Sequence, residues 1–102
     1  MNWRNKKNLM TIQKEMGFSH QEFFSSLAIL ARDIPCRLSD SGAVLEYDAG
    51  EVRISLGPQG ERKLGSMILP RTMVSLEFKD FSEEQRMVFL DRFDLTFRRG
   101  GG

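Results

Sequence analysis

The sequence predicts a small α+β domain, built as a two-layer sandwich from an N-terminal helix, three to five antiparallel strands and a C-terminal helix packed on one sheet face. Three observations indicate this class. Apolar residues recur at helical spacing between residues 18 and 34, alternate with polar residues between 36 and 78, and return to helical spacing after residue 82. The chain has 102 residues, of which 40% are hydrophobic and 28% charged, which is typical of one globular domain.

The first fifteen residues carry four basic side chains and one acidic side chain, a local charge of +3, whereas the whole chain has a net charge of +1. We therefore expect a basic, flexible N-terminal arm over residues 1–15 and a single α+β domain over residues 16–102. The arm lacks the apolar stretch of a secretory signal, and no apolar run reaches the roughly 20 residues of a membrane helix. These features favour a cytoplasmic protein that does not enter a membrane.

The first helix is predicted from its N-terminus. Ser19 can cap the helix and Glu22 can reach back to it, which completes a capping box. Phe18 and Phe23 stand where a hydrophobic staple would form. Pro35 disfavours helical backbone in the residue before it, so the helix should end by residue 34.

Two strands are predicted over residues 43–48 and 51–56, joined by a short turn in which Gly50 takes a left-handed conformation. Val52, Ile54 and Leu56 alternate with polar residues and should face the core. Residues 37–39 are interpreted as a further short strand.

The segment that follows mixes extended and turn signals. Residues 57–60 read as a turn, and residues 61–69 as extended chain with a bulge or bend at Gly65. Pro70 should break the ladder because it has no N–H to donate. Alternation then resumes over residues 73–78.

The second helix is predicted to begin after Ser82, with Gln85 completing another capping box. Its apolar stripe consists of Phe89, Leu90, Phe93 and Phe97. Residues 93–98 also alternate as a strand would, but no helix breaker precedes them, so we predict one continuous helix. An Asp94–Arg98 ion pair would support it.

Few residues could carry catalysis. His20 and Cys36 are the only histidine and cysteine. Residues 60–66 do not form a phosphate-binding loop, because no lysine follows the second glycine, Gly65. One cysteine excludes an internal disulfide and a multi-thiolate metal site. We interpret Cys36 as a small buried apolar group rather than a thiolate activated by Arg37. The sequence thus favours a protein without enzymatic activity, metal or cofactor.

Four basic residues on successive extended segments are the candidate binding residues: Arg53, Arg62, Lys63 and Arg71. If they converge, they could bind an anionic ligand, an acidic protein surface or RNA. The alternative is a solvated sheet face on which interspersed glutamates balance these charges. Few strand aromatics are available to stack bases, which weakens the RNA interpretation.

The chain ends in Arg98-Arg99-Gly100-Gly101-Gly102. The two arginines and the glycine suit a helix C-terminus. The ending also resembles that of ubiquitin-like modifiers and sulfur carriers, a resemblance that implies adenylation or thiocarboxylation of a terminal Gly-Gly. That family's order of elements begins with a hairpin rather than a helix.

The favoured hypothesis is a small binding or adaptor domain that acts through a sheet face or the groove between its helices. Its partner would be another protein or a second copy of the chain. A carrier protein that uses its C-terminal glycines is an alternative, and a domain that binds a small ligand or nucleic acid is another.

Overall fold

A computed structural model describes residues 9–47 and 50–101, with side chains for residues 10–47 and 50–97. These residues form a small α+β fold with six antiparallel strands and two helices. The strands are β1 (Leu9–Met16), β2 (Cys36–Ser39), β3 (Gly42–Tyr47), β4 (Gly50–Leu56), β5 (Gly60–Leu64) and β6 (Met67–Lys79). The helices are α1 (His20–Leu30) and α2 (Glu83–Gly101).

The sheet has the order β1-β6-β4-β3-β2, and β5 pairs with β6 outside this path. The last part of β6 lies between β1 and β4, whereas its first five residues pair with β5. β5 and the start of β6 therefore form a hairpin that extends past the strands of the main sheet.

The first strand corrects two expectations, an N-terminal helix as the first element and an upper limit of five strands. Residues that we assigned to a flexible arm pair with β6, from Leu9 opposite Lys79 to Met16 opposite Thr72. The alternation of β1 is hard to recognise because Lys14 occupies a position on the core side, where its Nζ lies 2.8 Å from Asp94 of α2. Residues 1–8 lie outside the described part of the chain.

Both helices begin as predicted. In α1, the Ser19 hydroxyl accepts from the backbone N–H of Glu22, and the Glu22 carboxylate accepts from the N–H of Ser19. Ser82 and Gln85 make the same reciprocal pair before α2, at 3.0 and 2.9 Å. α2 continues through residues 93–98, so the continuous helix is confirmed. Asp94 pairs with Lys14, and the side chain of Arg98 lies outside the described residues.

One core joins the two helices to one face of the sheet. From the helices it takes Phe23, Leu27, Leu30, Phe89, Phe93 and Phe97, and from the central strands Leu45, Val52, Ile54, Val74, Leu76 and Phe78. Phe97 stacks on Phe93 and Phe23 with ring centroids 4.3 and 5.0 Å away, which ties α2 to α1. Neither of the two described helices covers the opposite face of the sheet, whose side chains alternate with these.

Three local expectations need correction. Gly50 is the first residue of β4 and does not have a positive φ; a Cβ there would lie 2.5 Å from the Lys79 carbonyl oxygen, so close approach requires the glycine. Gly65 has a φ of 62° and lies in the turn between β5 and β6, so it reverses the chain rather than bending a strand. Pro70 does not break the ladder, because β6 continues through it.

The position of Pro70 explains why the strand tolerates it. Its carbonyl oxygen lies 3.9 Å from where a Cβ of Gly17 would be, on the side of β6 that faces β1. In an antiparallel strand, the N–H and C=O of one residue point to the same edge. β1 ends at Met16, opposite Thr72, so the missing N–H of Pro70 falls on an edge without a neighbouring strand.

Candidate functional site

The uncovered sheet face is polar and its charges are partly paired. One row across the strands consists of Thr11, Glu77, Arg53, Val44 and Arg37, and the next of Gln13, Ser75, Ser55, Gly42 and Ser39. The Arg53 guanidinium lies 3.6 Å from the Glu51 carboxylate, and Arg71 Nε lies 2.9 Å from Glu15 Oε2. This part of the face fits the solvated alternative.

A shallow depression of about 300 Å³ lies on this face where β2, β3 and β4 meet. Arg37 and Arg53 line it, together with three serines, Ser39, Ser41 and Ser55. Two guanidinium groups with nearby hydroxyls could bind one carboxylate or phosphate group. Arg37 was absent from the predicted set, although its place after the inward-facing Cys36 in a short strand is a signal for an outward arginine.

The β5–β6 hairpin has a different chemistry. Its register pairs Arg62 with Leu69 and Leu64 with Met67, and these four side chains share the side that continues the uncovered sheet face. Arg71, opposite Gly60, lies on the same side. Cross-strand neighbours on one face are in contact distance, so this side of the hairpin is an apolar strip with two arginines toward its base. We call these five residues the hairpin strip: Arg62, Leu64, Met67, Leu69 and Arg71.

The apolar side chains of the hairpin are exposed. Leu64 is 51% exposed, Met67 58% and Ile68 57%, whereas the inward-facing apolar residues of β4 and of the second half of β6, such as Val52, Ile54 and Leu76, are buried. The difference follows from topology, because the helices cover the main sheet but the hairpin extends beyond it. Clusters of exposed apolar side chains in a soluble domain typically mark an interaction surface.

The base of the hairpin is anchored to the start of α1. His20 Nε2 lies 2.8 Å from the Gly57 carbonyl oxygen, and the backbone N–H of His20 donates to Gln59 Oε1 at 2.9 Å. On β6, the buried Thr72 hydroxyl donates to the Phe18 carbonyl oxygen at 2.8 Å. The hairpin is thus held at both of its strands where it leaves the sheet.

The predicted binding residues fall into two places. Arg62 and Arg71 belong to the hairpin strip, and Arg53 lies on the same side of the main sheet, beside the depression. Lys63 pairs with Ile68 on the opposite side of the hairpin. The four residues therefore do not converge on one place where a single anionic ligand could contact them all.

The structure also places the predicted cysteine and the C-terminal glycines. Cys36 packs against the core, where burial raises the pKa of its thiol, and Arg37 extends to the other face of the sheet. Gly100 and Gly101 belong to the last turn of α2, and Gly102 lies outside the described residues. The carrier hypothesis stays a prediction.

Within residues 9–47 and 50–101, no three His, Cys, Asp or Glu side chains are grouped as a metal site would require. Neither of the two helices is long and apolar enough to cross a membrane. Comparison of the chain with family models, curated proteins and solved structures found no match.

Proposed function

We propose that this chain is a protein-binding domain whose contact surface is the β5–β6 hairpin, and that it binds an apolar protein surface with acidic residues. The observation that carries the proposal is the projection of Leu64 and Met67, each more than half exposed, from a hairpin that neither of the described helices covers.

The composition of the hairpin supports a protein partner. Leucine, methionine and arginine make up the hairpin strip, and methionine and arginine are enriched at protein interfaces. Burying the exposed part of each of its large apolar side chains would contribute roughly 1 kcal/mol. This gain favours association once a partner covers them.

The charges of the hairpin suggest which charge the partner's surface carries. Arg62, on the hairpin strip, makes no ion pair with any residue in the described ranges, whereas Arg53 and Arg71 each contact a glutamate. An unpaired cation beside an apolar strip is best complemented by a carboxylate. Arginine is also well suited to bind a carboxylate through two hydrogen bonds.

The hairpin is a better candidate than the depression between Arg37 and Arg53. The depression is open to solvent and one of its arginines already contacts Glu51. Its lining includes no exposed apolar side chain large enough to drive association, apart from the edge residue Leu38.

Site-specific photo-crosslinking in the native cell tests the proposal. The full chain would carry p-benzoylphenylalanine in place of Met67, and a matched chain would carry it in place of Leu38, which is 66% exposed at the other end of the sheet. We expect protein adducts from position 67 that are lost on Arg62→Glu, and none of these adducts from position 38. Absence of adducts from position 67, or the same adducts from both positions, would overturn the proposal.

A further inference from the structure

α2 has a second apolar stripe that faces solvent. Met87, Val88 and Leu95 are 59%, 52% and 52% exposed, although Phe89, Phe93 and Phe97 on the opposite side of the same helix are fully buried. At about 100° per residue, Glu84 and Asp91 fall on the same outward arc as these three residues. We call this set the helix stripe: Glu84, Met87, Val88, Asp91 and Leu95.

The helix stripe complements the hairpin strip in composition. Each surface holds three apolar side chains and two charged ones, with acidic residues on the helix and arginines on the hairpin. Glu84 and Asp91 make no ion pair among residues 10–47 and 50–97. The unpaired carboxylates of the helix stripe could therefore pair with the unpaired Arg62 of the hairpin strip.

The helix stripe is also long enough to cover the hairpin strip. On β6, the hairpin strip runs from Met67 to Arg71, which is about 13 Å at the usual strand rise. On α2, the distance from Glu84 to Leu95 is about 17 Å at the rise of an α-helix. A helix laid along the hairpin would therefore span the whole hairpin strip.

One chain does not bring these surfaces together. The helix stripe faces outward from the helical layer, whereas the hairpin strip continues the uncovered face on the other side of the sheet. A contact between them needs two molecules, which would be arranged head to tail.

We infer that the partner of the hairpin is a second copy of this chain, which it contacts along the helix stripe of α2. This inference rests on the proposed function and specifies the partner. The principal polar contact is between Arg62 of one copy and Asp91 of the next, flanked by Leu64 and Met67 on one side and by Val88 and Leu95 on the other. Head-to-tail contacts of this kind build rings or open chains of copies.

Charge reversal tests the inference on the full chain by sedimentation velocity over a range of concentrations and salt. We expect self-association that weakens as salt is raised. Arg62→Glu and Asp91→Arg should each weaken it about tenfold, because each places like charges in the contact. Lys63→Glu is the matched control, since it makes the same charge change one residue away on the other side of the hairpin.

Restoring self-association by combining the two charge reversals distinguishes this contact from any other. The chain carrying both Arg62→Glu and Asp91→Arg should self-associate as the unmodified chain does, and the two single variants should associate when mixed. A monomer at every concentration, an equal effect of Lys63→Glu, or failure of the double variant to recover would overturn the inference. If the chain is monomeric while Met67 still crosslinks to other proteins, the inference fails and the proposed function stands.

Discussion

The Nε2 atom of His20 lies 2.8 Å from the carbonyl oxygen of Gly57, a residue 37 positions later in the chain. Because a carbonyl oxygen only accepts, Nε2 must carry the proton of this hydrogen bond. The first residue of α1 therefore holds the loop through which β4 passes to β5. This contact connects a helix N-terminus, defined by local capping, to the orientation of the hairpin.

Replacing His20 should loosen the hairpin before it affects the rest of the fold. We expect His20→Ala to lower the free energy of unfolding by about 1 kcal/mol, the usual contribution of one hydrogen bond. Hydrogen exchange should accelerate most in β5 and the first residues of β6. Gln21→Ala, at an exposed neighbouring position, is the control. Acceleration spread evenly over all six strands would contradict this role for His20.

Phe93 is a core residue of α2. It is fully buried and stacks on Phe97 at 4.3 Å, so truncation leaves a cavity between α2 and the sheet. We expect Phe93→Ala to cost about 3–5 kcal/mol in urea unfolding. Leu95→Ala, two residues later on the exposed side, should cost less than about 1 kcal/mol. Similar costs for the two variants would show that α2 is oriented differently.

Gly42 is required by the close approach of β3 to β4. A Cβ at this position would lie 2.1 Å from the backbone oxygen of Ile54, and a backbone atom cannot move aside as a flexible side chain can. We expect Gly42→Ala to destabilise the fold by about 2–3 kcal/mol in urea unfolding.

Gly60 provides the comparison for Gly42. It is also the first residue of a strand, but its nearest potential contact is 3.8 Å away. We expect Gly60→Ala to change the free energy of unfolding by less than about 0.5 kcal/mol. Equal effects at the two positions would mean that the clash at Gly42 is relieved by a small shift of the strands.

Cys36 should react slowly in the folded protein. Burial raises the pKa of its thiol, so the reactive thiolate is a smaller fraction at neutral pH than in the unfolded chain. We expect iodoacetamide to modify Cys36 more slowly in native protein than in urea, and the native rate to keep rising at pH values where the unfolded rate has levelled. A native rate at neutral pH above the unfolded one would indicate an activated thiolate.

Much of the fold could be predicted because its signals are local. Ser19 and Ser82 cap their helices with neighbours three residues away, so the capping pattern alone identified both N-termini. The alternation of Val52, Ile54 and Leu56 likewise identified the buried face of β4. A local signal depends only on spacing, and spacing is visible in the chain.

β1 could not be predicted, because its signal depends on a residue far away in the sequence. Its inward-facing Lys14 looks like part of a basic arm until Asp94, 80 residues later, provides a carboxylate for it. Pro70 misled in the same way, because its effect on a strand depends on whether the edge that lacks the N–H has a neighbour. Both outcomes depend on residues far away in the sequence.

The candidate site was predicted in part. Arg62 and Arg71 were identified from charge, but the apolar side chains between them were assigned to an ordinary strand with a bend at Gly65. Leu64, Met67 and Ile68 resemble core residues in the sequence, and only the extension of their hairpin past the helices leaves them exposed. The signal that could have located the hairpin is Gly65 between two short extended runs, a pattern that predicts a hairpin.

The sequence by itself determined which segments are helical, where the helices begin and which face of each central strand is buried, because capping and hydrophobic periodicity act between near neighbours. Only the tertiary structure decided that residues 9–16 are a strand, that Pro70 lies within β6 and that one hairpin is left without a covering helix. Those outcomes depend on which surfaces meet when distant segments pack. The residue spacing within any one segment does not determine that pairing.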